Sequence, residues 1–247
     1  MQPWQLLVLV AIILVVRLAI TLTPVATTES RAKREHLSRE FLDPFVVAGL
    51  AAWLLITFVV RTYYIPSESM VPTLAVHDVL LVNKFEYRFH APHRGDIVVF
   101  PPPLPSDDDF IKRVIGVPGD KLRIQGGVVY VNDVPLKEPY IAEPPNYNLV
   151  IKQYGIFDDQ NHPGLMVALD STQANIPPKS RWTAPDRIPP GCYFMMGDNR
   201  NDSDDSHMWG FAQTGGTFAT GLQAGKPAGF TGHAFFIFWP INRAHGI

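Results

Sequence analysis

Two long apolar runs lie within the first sixty residues, and they limit what this chain can become more than any other feature. Residues 4–23 (WQLLVLVAIILVVRLAITLT) carry Arg17 as their one charge, and residues 44–60 (PFVVAGLAAWLLITFVV) carry none. As a helix, each is long enough to cross roughly 30 Å of hydrocarbon, the second only just. A cleaved export signal is a poor fit to the first run. Met1 to Gln5 lack the positive segment with which such signals begin, and no small-x-small cleavage site follows. The second run has too few polar interruptions for a buried core helix. Residues 1–60 are therefore expected to form an anchor of two transmembrane helices.

The orientation of that anchor follows from charge. Arg31, Lys33, Arg34 and Arg39 lie between the runs, whereas the tail before the first run has neither Lys nor Arg. Short loops rich in Lys and Arg stay in the cytoplasm. Residues 24–43 are thus expected as a cytoplasmic loop, with both termini outside and Arg17 snorkelling toward the cytoplasmic face. The remainder, residues 61–247, is placed outside the cytoplasm.

That remainder reads as mainly β, in antiparallel sheets and hairpins. Hydrophobic alternation runs through VLLVNKFEYRF (79–89), DIVVF (96–100) and DKLRIQGGVVYVNDVPL (120–136). Gly126-Gly127 between two alternating stretches is a two-residue hairpin signal, and Asn132-Asp133 marks a second turn. HAFFIFWPI near the C-terminus reads as another buried strand. Residues 143–190, polar and punctuated by proline, are expected as an insertion hung on the β core. A net charge of −2 leaves no surplus of Lys and Arg to neutralise phosphates, which argues against a nucleic-acid partner. The single cysteine, Cys192, permits no internal disulfide and no cysteine-built metal site.

Chemistry concentrates in three segments: Tyr64-Ile65-Pro66-Ser67-Glu68-Ser69-Met70-Val71-Pro72-Thr73-Leu74, then Phe110-Ile111-Lys112-Arg113-Val114-Ile115-Gly116-Val117-Pro118-Gly119-Asp120, then Gly197-Asp198-Asn199-Arg200-Asn201-Asp202-Ser203-Asp204-Asp205-Ser206-His207-Met208-Trp209-Gly210. A serine hydroxyl becomes a strong nucleophile only when a neighbouring base takes its proton. None of the eight histidines accompanies a serine in a nucleophile-elbow motif. Lysine can serve as the base if burial lowers its pKa from about 10.4. In a strand, Phe110, Lys112 and Val114 share one face and Arg113 takes the other, so Lys112 can sit among apolar side chains. Arg113 cannot act as a base, because its pKa exceeds about 12. The plainer alternatives are a solvated Lys112 on an edge strand, and a Ser/Pro turn that merely joins anchor to domain. Ser67 and Ser69, two positions apart, present both hydroxyls to one side if the segment is extended. The Asp/Ser/His cluster of the third segment has no recognisable ligand spacing, so neither metal nor cofactor is expected.

Taken together, the three segments and the two preceding spans resemble the bacterial type I signal peptidases (leader peptidases), a family of Ser–Lys serine proteases. The resemblance implies a serine endopeptidase in the bacterial cytoplasmic (inner) membrane that removes signal peptides from exported proteins, cleaving after small residues in the pattern Ala-x-Ala. It implies Ser69 as nucleophile and Lys112 as general base, with an oxyanion hole formed by the Ser69 N–H and the Ser67 hydroxyl. Ser203 is implied to orient Lys112 by a hydrogen bond, and Asp205 to support it. Tyr63, Ile65, Pro66, Met70, Leu74, Val99, Phe110 and Ile111 are implied as the substrate-binding lining, and signal peptides and the lipid bilayer as partners. Two departures stand out: His207 occupies a position where the family usually has Arg, and residues 211–232 are longer and richer in glycine than usual. The competing readings are a conjugation-type Ser–Lys peptidase with a single substrate, and an inactive membrane-anchored β domain that only binds peptides.

Overall fold

The computed structural model describes residues 3–24, 28–103, 106, 108–153, 155–157, 165–167, 185–215 and 229–247. The chain divides into two compact units, Met1–Arg61 and Thr62–Ile247.

The first unit is a helical hairpin. Helix α1 (Pro3–Leu22) packs against α2 (Thr28–Leu54), and a short π-helical turn, Leu55–Val59, follows. Both helices contain stretches long and apolar enough to cross a membrane. Their large side chains, among them Ile12, Val15, Leu18, Phe45 and Val47, are largely uncovered. Exposed apolar surface of that extent marks contact with a membrane or with another protein. The expected loop over 24–43 is helical from Thr28 onward, and Pro44 lies inside α2 rather than at its start. Ala, Leu, Glu and Arg between residues 32 and 42 are good helix formers and carry the helix through the charged region. Arg17 does not snorkel alone: its Nη2 donates to Asp43 Oδ2 at 2.9 Å, pairing the two charges across the hairpin.

The second unit is antiparallel β. In chain order its strands are β1 (Val60–Tyr64), β2 (Val79–Asn83), β3 (Ile97–Phe100), β4 (Phe110–Gly116), β5 (Leu122–Gln125), β6 (Val128–Val131), β7 (Val134–Pro135), β8 (Leu149–Lys152), β9 (Gly155–Phe157), β10 (Leu165–Val167), β11 (Cys192–Met196), β12 (Ala212–Gln213), β13 (Gly232–Trp239) and β14 (His245–Gly246). One sheet runs β1-β2-β13-β3-β4-β11-β12, with β14 beside β13. The other runs β10-β9-β8-β5-β6-β7. Gln125 pairs with Val128 across Gly126-Gly127, whose φ angles are 57° and 79°. Positive φ at both positions is the two-residue hairpin geometry that glycine permits.

Period-2 alternation builds the core. On β3, Ile97 and Val99 join a cluster with Ile65, Met70, Leu74, Leu80, Val82, Ala234 and Ile237. Val98 and Phe100 point the other way, into a cluster with Val114, Tyr193, Met195 and Trp209. A third cluster covers the second sheet with Leu122, Ile124, Val129, Leu149, Ile151 and Ile156. The last three belong to the stretch expected to hang outside the core. Instead, Leu149 and Ile151 alternate inward and β8 pairs with β5, so the described part of 143–190 extends the second sheet. Residues 158–164 and 168–184 of that stretch lie outside the described residues, as do 216–228 of the glycine-rich segment 211–232.

Candidate active site

Strand β4 fixes the centre of the site. It lies inside the larger sheet between β3 and β11, so an edge position for Lys112 is excluded. Lys112 pairs in register with Val98 and shares its face with Phe110 and Val114. It is 5% exposed. Burial among these side chains disfavours the ammonium and lowers the pKa to about 8, against the upward pull of Asp205, Asp204 and Asp198. Lys112 Nζ lies 2.8 Å from Ser69 Oγ. An ammonium at that place donates to the hydroxyl, and a free amine accepts the hydroxyl's proton.

The serine segment is not extended. Residues 67–74 form bends and turns, closed by Val71 N–H to Glu68 O at 3.0 Å and Leu74 N–H to Met70 O at 2.9 Å. The two hydroxyls still converge, with Ser67 Oγ 3.4 Å from Ser69 Oγ. Two features of the third segment hold this turn. Asn199 donates from its backbone to Ser69 O and from Nδ2 to Glu68 O, at 3.1 and 3.2 Å. Gly197 packs so closely that a Cβ there would meet Ser203 Oγ at 2.2 Å and Ser69 O at 2.3 Å. No larger residue fits without displacing one of them.

Arg113, on the opposite face of β4, forms a buried ion pair with Asp198. Its Nε reaches Oδ1 at 2.8 Å and its Nη2 reaches Oδ2 at 2.6 Å. Asp198 also accepts the Thr73 hydroxyl at 2.5 Å, which ties the strand, the serine turn and the third segment together. A second buried pair, Arg200 with Glu138, anchors the third segment to the second sheet. Neither pair was foreseeable from local pattern, because each joins residues distant in sequence.

Pro66, Ser67, Ser69, Phe110, Ile111, Lys112 and Ser203 surround one cavity of about 510 Å³. Its rim is more acidic than the expected apolar lining, since Glu68, Asp108, Asp109, Asp202 and Asp204 also face it. Ile65, Met70, Leu74 and Val99 do not line it. They are buried in the core beneath, against which Ile111 packs. Tyr63 reaches the rim indirectly, donating to Asp109 at 3.0 Å. Ser203 makes no hydrogen bond to Lys112; its Oγ is buried against Gly197 without a partner. Asp205 is fully buried and caps the short helix α3 (Ser206–Trp209), accepting from Gly197 N–H at 3.0 Å and His207 N–H at 3.2 Å. His207 pairs with Asp205, for its Nδ1 lies 2.5 Å from Asp205 Oδ1. Cys192 offers no rival nucleophile, because burial pushes its thiol up to about 12. Among the described residues no cluster of side chains suits a metal ion.

Residues 38–221 match the family described as signal peptidase, peptidase S26. The chain belongs to that family. Its similarity to individual members is spread over most of their length. It is 37% identical over 212 residues to a probable signal peptidase I-1 of Synechocystis sp., covering 83% of this chain and 84% of that protein. It is 34% identical over 227 residues to a signal peptidase I of Leptolyngbya laminosa, covering 89% of each. With the signal peptidase I of Pseudomonas aeruginosa it shares 34% identity over 194 residues, 72% of this chain and 66% of the other. The S26 match spans the serine turn, β4 and the third segment together. The peptidase residues are therefore to be sought where these three meet.

Proposed function

We propose that this protein is a membrane-anchored serine endopeptidase that removes signal peptides from exported proteins, with Ser69 as nucleophile and Lys112 as its neutral general base. Family membership supports the activity. The residue assignment rests on one observation, the 2.8 Å approach of Ser69 Oγ to an amine whose burial favours its neutral form. The Lys112 amine takes the Ser69 proton as Oγ attacks the scissile carbonyl carbon. The Ser69 N–H and Ser67 hydroxyl are the donors for the developing oxyanion, worth about 3 kcal/mol each when preorganised. The new ammonium then gives its proton to the departing amine, leaving an acyl-enzyme. A water molecule, deprotonated by the same amine, releases the acyl group as a carboxylate and restores the serine. Ser203, buried beside Gly197 and without a partner, is available to orient the ammonium, and Asp205 supports the segment that carries it.

The substrate binds as an extended segment across the cavity, its small side chains on the floor of Pro66, Phe110 and Ile111. The anchor spans the membrane with residues 24–43 in the cytoplasm and the β unit outside. Protease added to intact cells should digest the β unit; complete protection would refute that orientation. The decisive assay is cleavage of a preprotein ending in Ala-x-Ala. Ser69→Ala and Lys112→Ala should each lose at least about 10⁴-fold in turnover, and the double variant hardly more, since the pair acts as a unit. Lys112→Arg should also be inactive although it keeps the charge. Substantial cleavage by a folded Lys112→Arg enzyme contradicts the assignment. In the same assay, Phe in place of the Ala beside the scissile bond should cost about 1–3 kcal/mol in kcat/KM.

A further inference from the structure

The imidazole of His207 sits between two environments. On one side its Nδ1 meets Asp205, a fully buried carboxylate. Against its ring, Tyr147 from the segment before β8 stacks at 4.4 Å and 16°. The Tyr147 hydroxyl is buried without a partner, so a ring rather than a hydrogen bond holds this contact. A cavity of about 240 Å³ opens beside them and shares Asp202, Ser203 and Asp204 with the larger one. Arg200, the cation that also faces this space, is committed to Glu138.

Asp205 is first among the charges that hold a proton on Lys112. Whatever neutralises Asp205 weakens that hold. A guanidinium in contact with Asp205 would do so at every working pH, whereas an imidazole does so only while protonated.

We propose that His207 is a positioning residue which acts through Asp205 on Lys112, so that the charge at position 207 sets how readily the catalytic amine gives up its proton. The inference rests on Lys112 being the base. With the imidazole charged, Asp205 is compensated and the Lys112 proton leaves more easily. With the imidazole neutral, the Asp205 charge has no cation against it and holds that proton to higher pH. Asp204 and Asp198 act in the same sense as Asp205, but Asp198 is paired with Arg113 and Asp205 is the one in contact with the His207 ring.

The test is the pH profile of kcat/KM for the full-length enzyme in detergent, comparing wild type with His207→Arg and His207→Gln. The rising limb of the Arg variant should have its midpoint below that of the Gln variant by about half a pH unit or more, with wild type between them. A purely structural role would alter the height of the profile and leave the midpoint in place. Coincident midpoints for folded Arg and Gln variants overturn the proposal, and His207→Asn provides a second neutral side chain should Gln not fold. Lys112→Ala separates the two possible failures. Cleavage retained by Lys112→Ala removes the base assignment itself, whereas an inactive Lys112→Ala with coincident midpoints removes only the coupling.

Discussion

Lys112 and Arg113 are neighbours on β4, both basic and both buried, yet their surroundings treat them in opposite ways. The Arg113 face supplies a carboxylate with matching geometry: two short hydrogen bonds to Asp198 and a third, from Nη1, to Gly95 O at 2.8 Å. The charge is kept because it is fully matched. The Lys112 face supplies Val98, Phe110 and Val114, and the direct partner of Nζ is the neutral hydroxyl of Ser69. Acidic side chains act on that amine from a distance and only partly restore what burial removes. One strand thus carries a permanent cation that braces the site and, one residue away, an amine that can let go of its proton. The identity of the partner decides the role; burial alone does not.

Breaking the braced side should give the larger change in stability. Asp198→Asn leaves Arg113 buried without its counter-charge, and loss of one partner from a buried pair costs about 3–5 kcal/mol. Denaturant titration reads this directly. A loss under 1 kcal/mol would mean that water or Thr73 replaces the carboxylate, and the contrast between the two faces would be weaker than described.

The unbraced side should respond in the other direction. Lys112→Met removes a buried amine whose pKa falls from 10.5 to about 8 on folding. Because the folded value is the lower one, stability associated with Lys112 is fullest above about pH 10.5 and is lost as pH falls to about 8. At pH 7 the Met variant should therefore be inactive but more stable, by on the order of 3 kcal/mol. Across pH 8–10 its advantage should shrink. A Met variant less stable than wild type at pH 7 would mean that the hydrogen bond to Ser69 outweighs the burial of the ammonium.

The place of Lys112 within a strand was legible because its information there is local. Alternation on β4 placed Lys112 with Phe110 and Val114, and paired glycines marked the β5–β6 hairpin. The inaccurate expectations share a different origin. The helical course of residues 28–43 depends on helix propensity, which positive charge masked. Ser67 to Thr73 form a turn because Asn199 and Gly197 hold it from another part of the chain. Ile65, Met70, Leu74 and Val99 have the character of a substrate lining, but only tertiary packing decides whether an apolar side chain meets substrate or core. The inward Leu149 and Ile151 were obscured by the proline-rich, polar residues around them. The pairing of His207 with Asp205 needed only the right geometry, and a basic residue of either kind supplies it.

The close fit of Gly197 against Ser69 and Ser203 also bears on how the protein is made. The serine turn and the loop that braces it are far apart along the chain, with the Thr73–Asp198 contact spanning 125 residues. Contacts of such separation form late, after the strands between them have condensed. During synthesis, Ser69 and Lys112 are both complete long before Gly197 leaves the ribosome. Until then the turn that carries Ser69 lacks the Asn199 hydrogen bonds and the close packing of Gly197 that hold it. On the proposed assignment, proteolytic competence arises only after Gly197 and the loop around it have docked on the serine turn, and a growing peptidase, surrounded by other unfolded polypeptides, is disarmed until then.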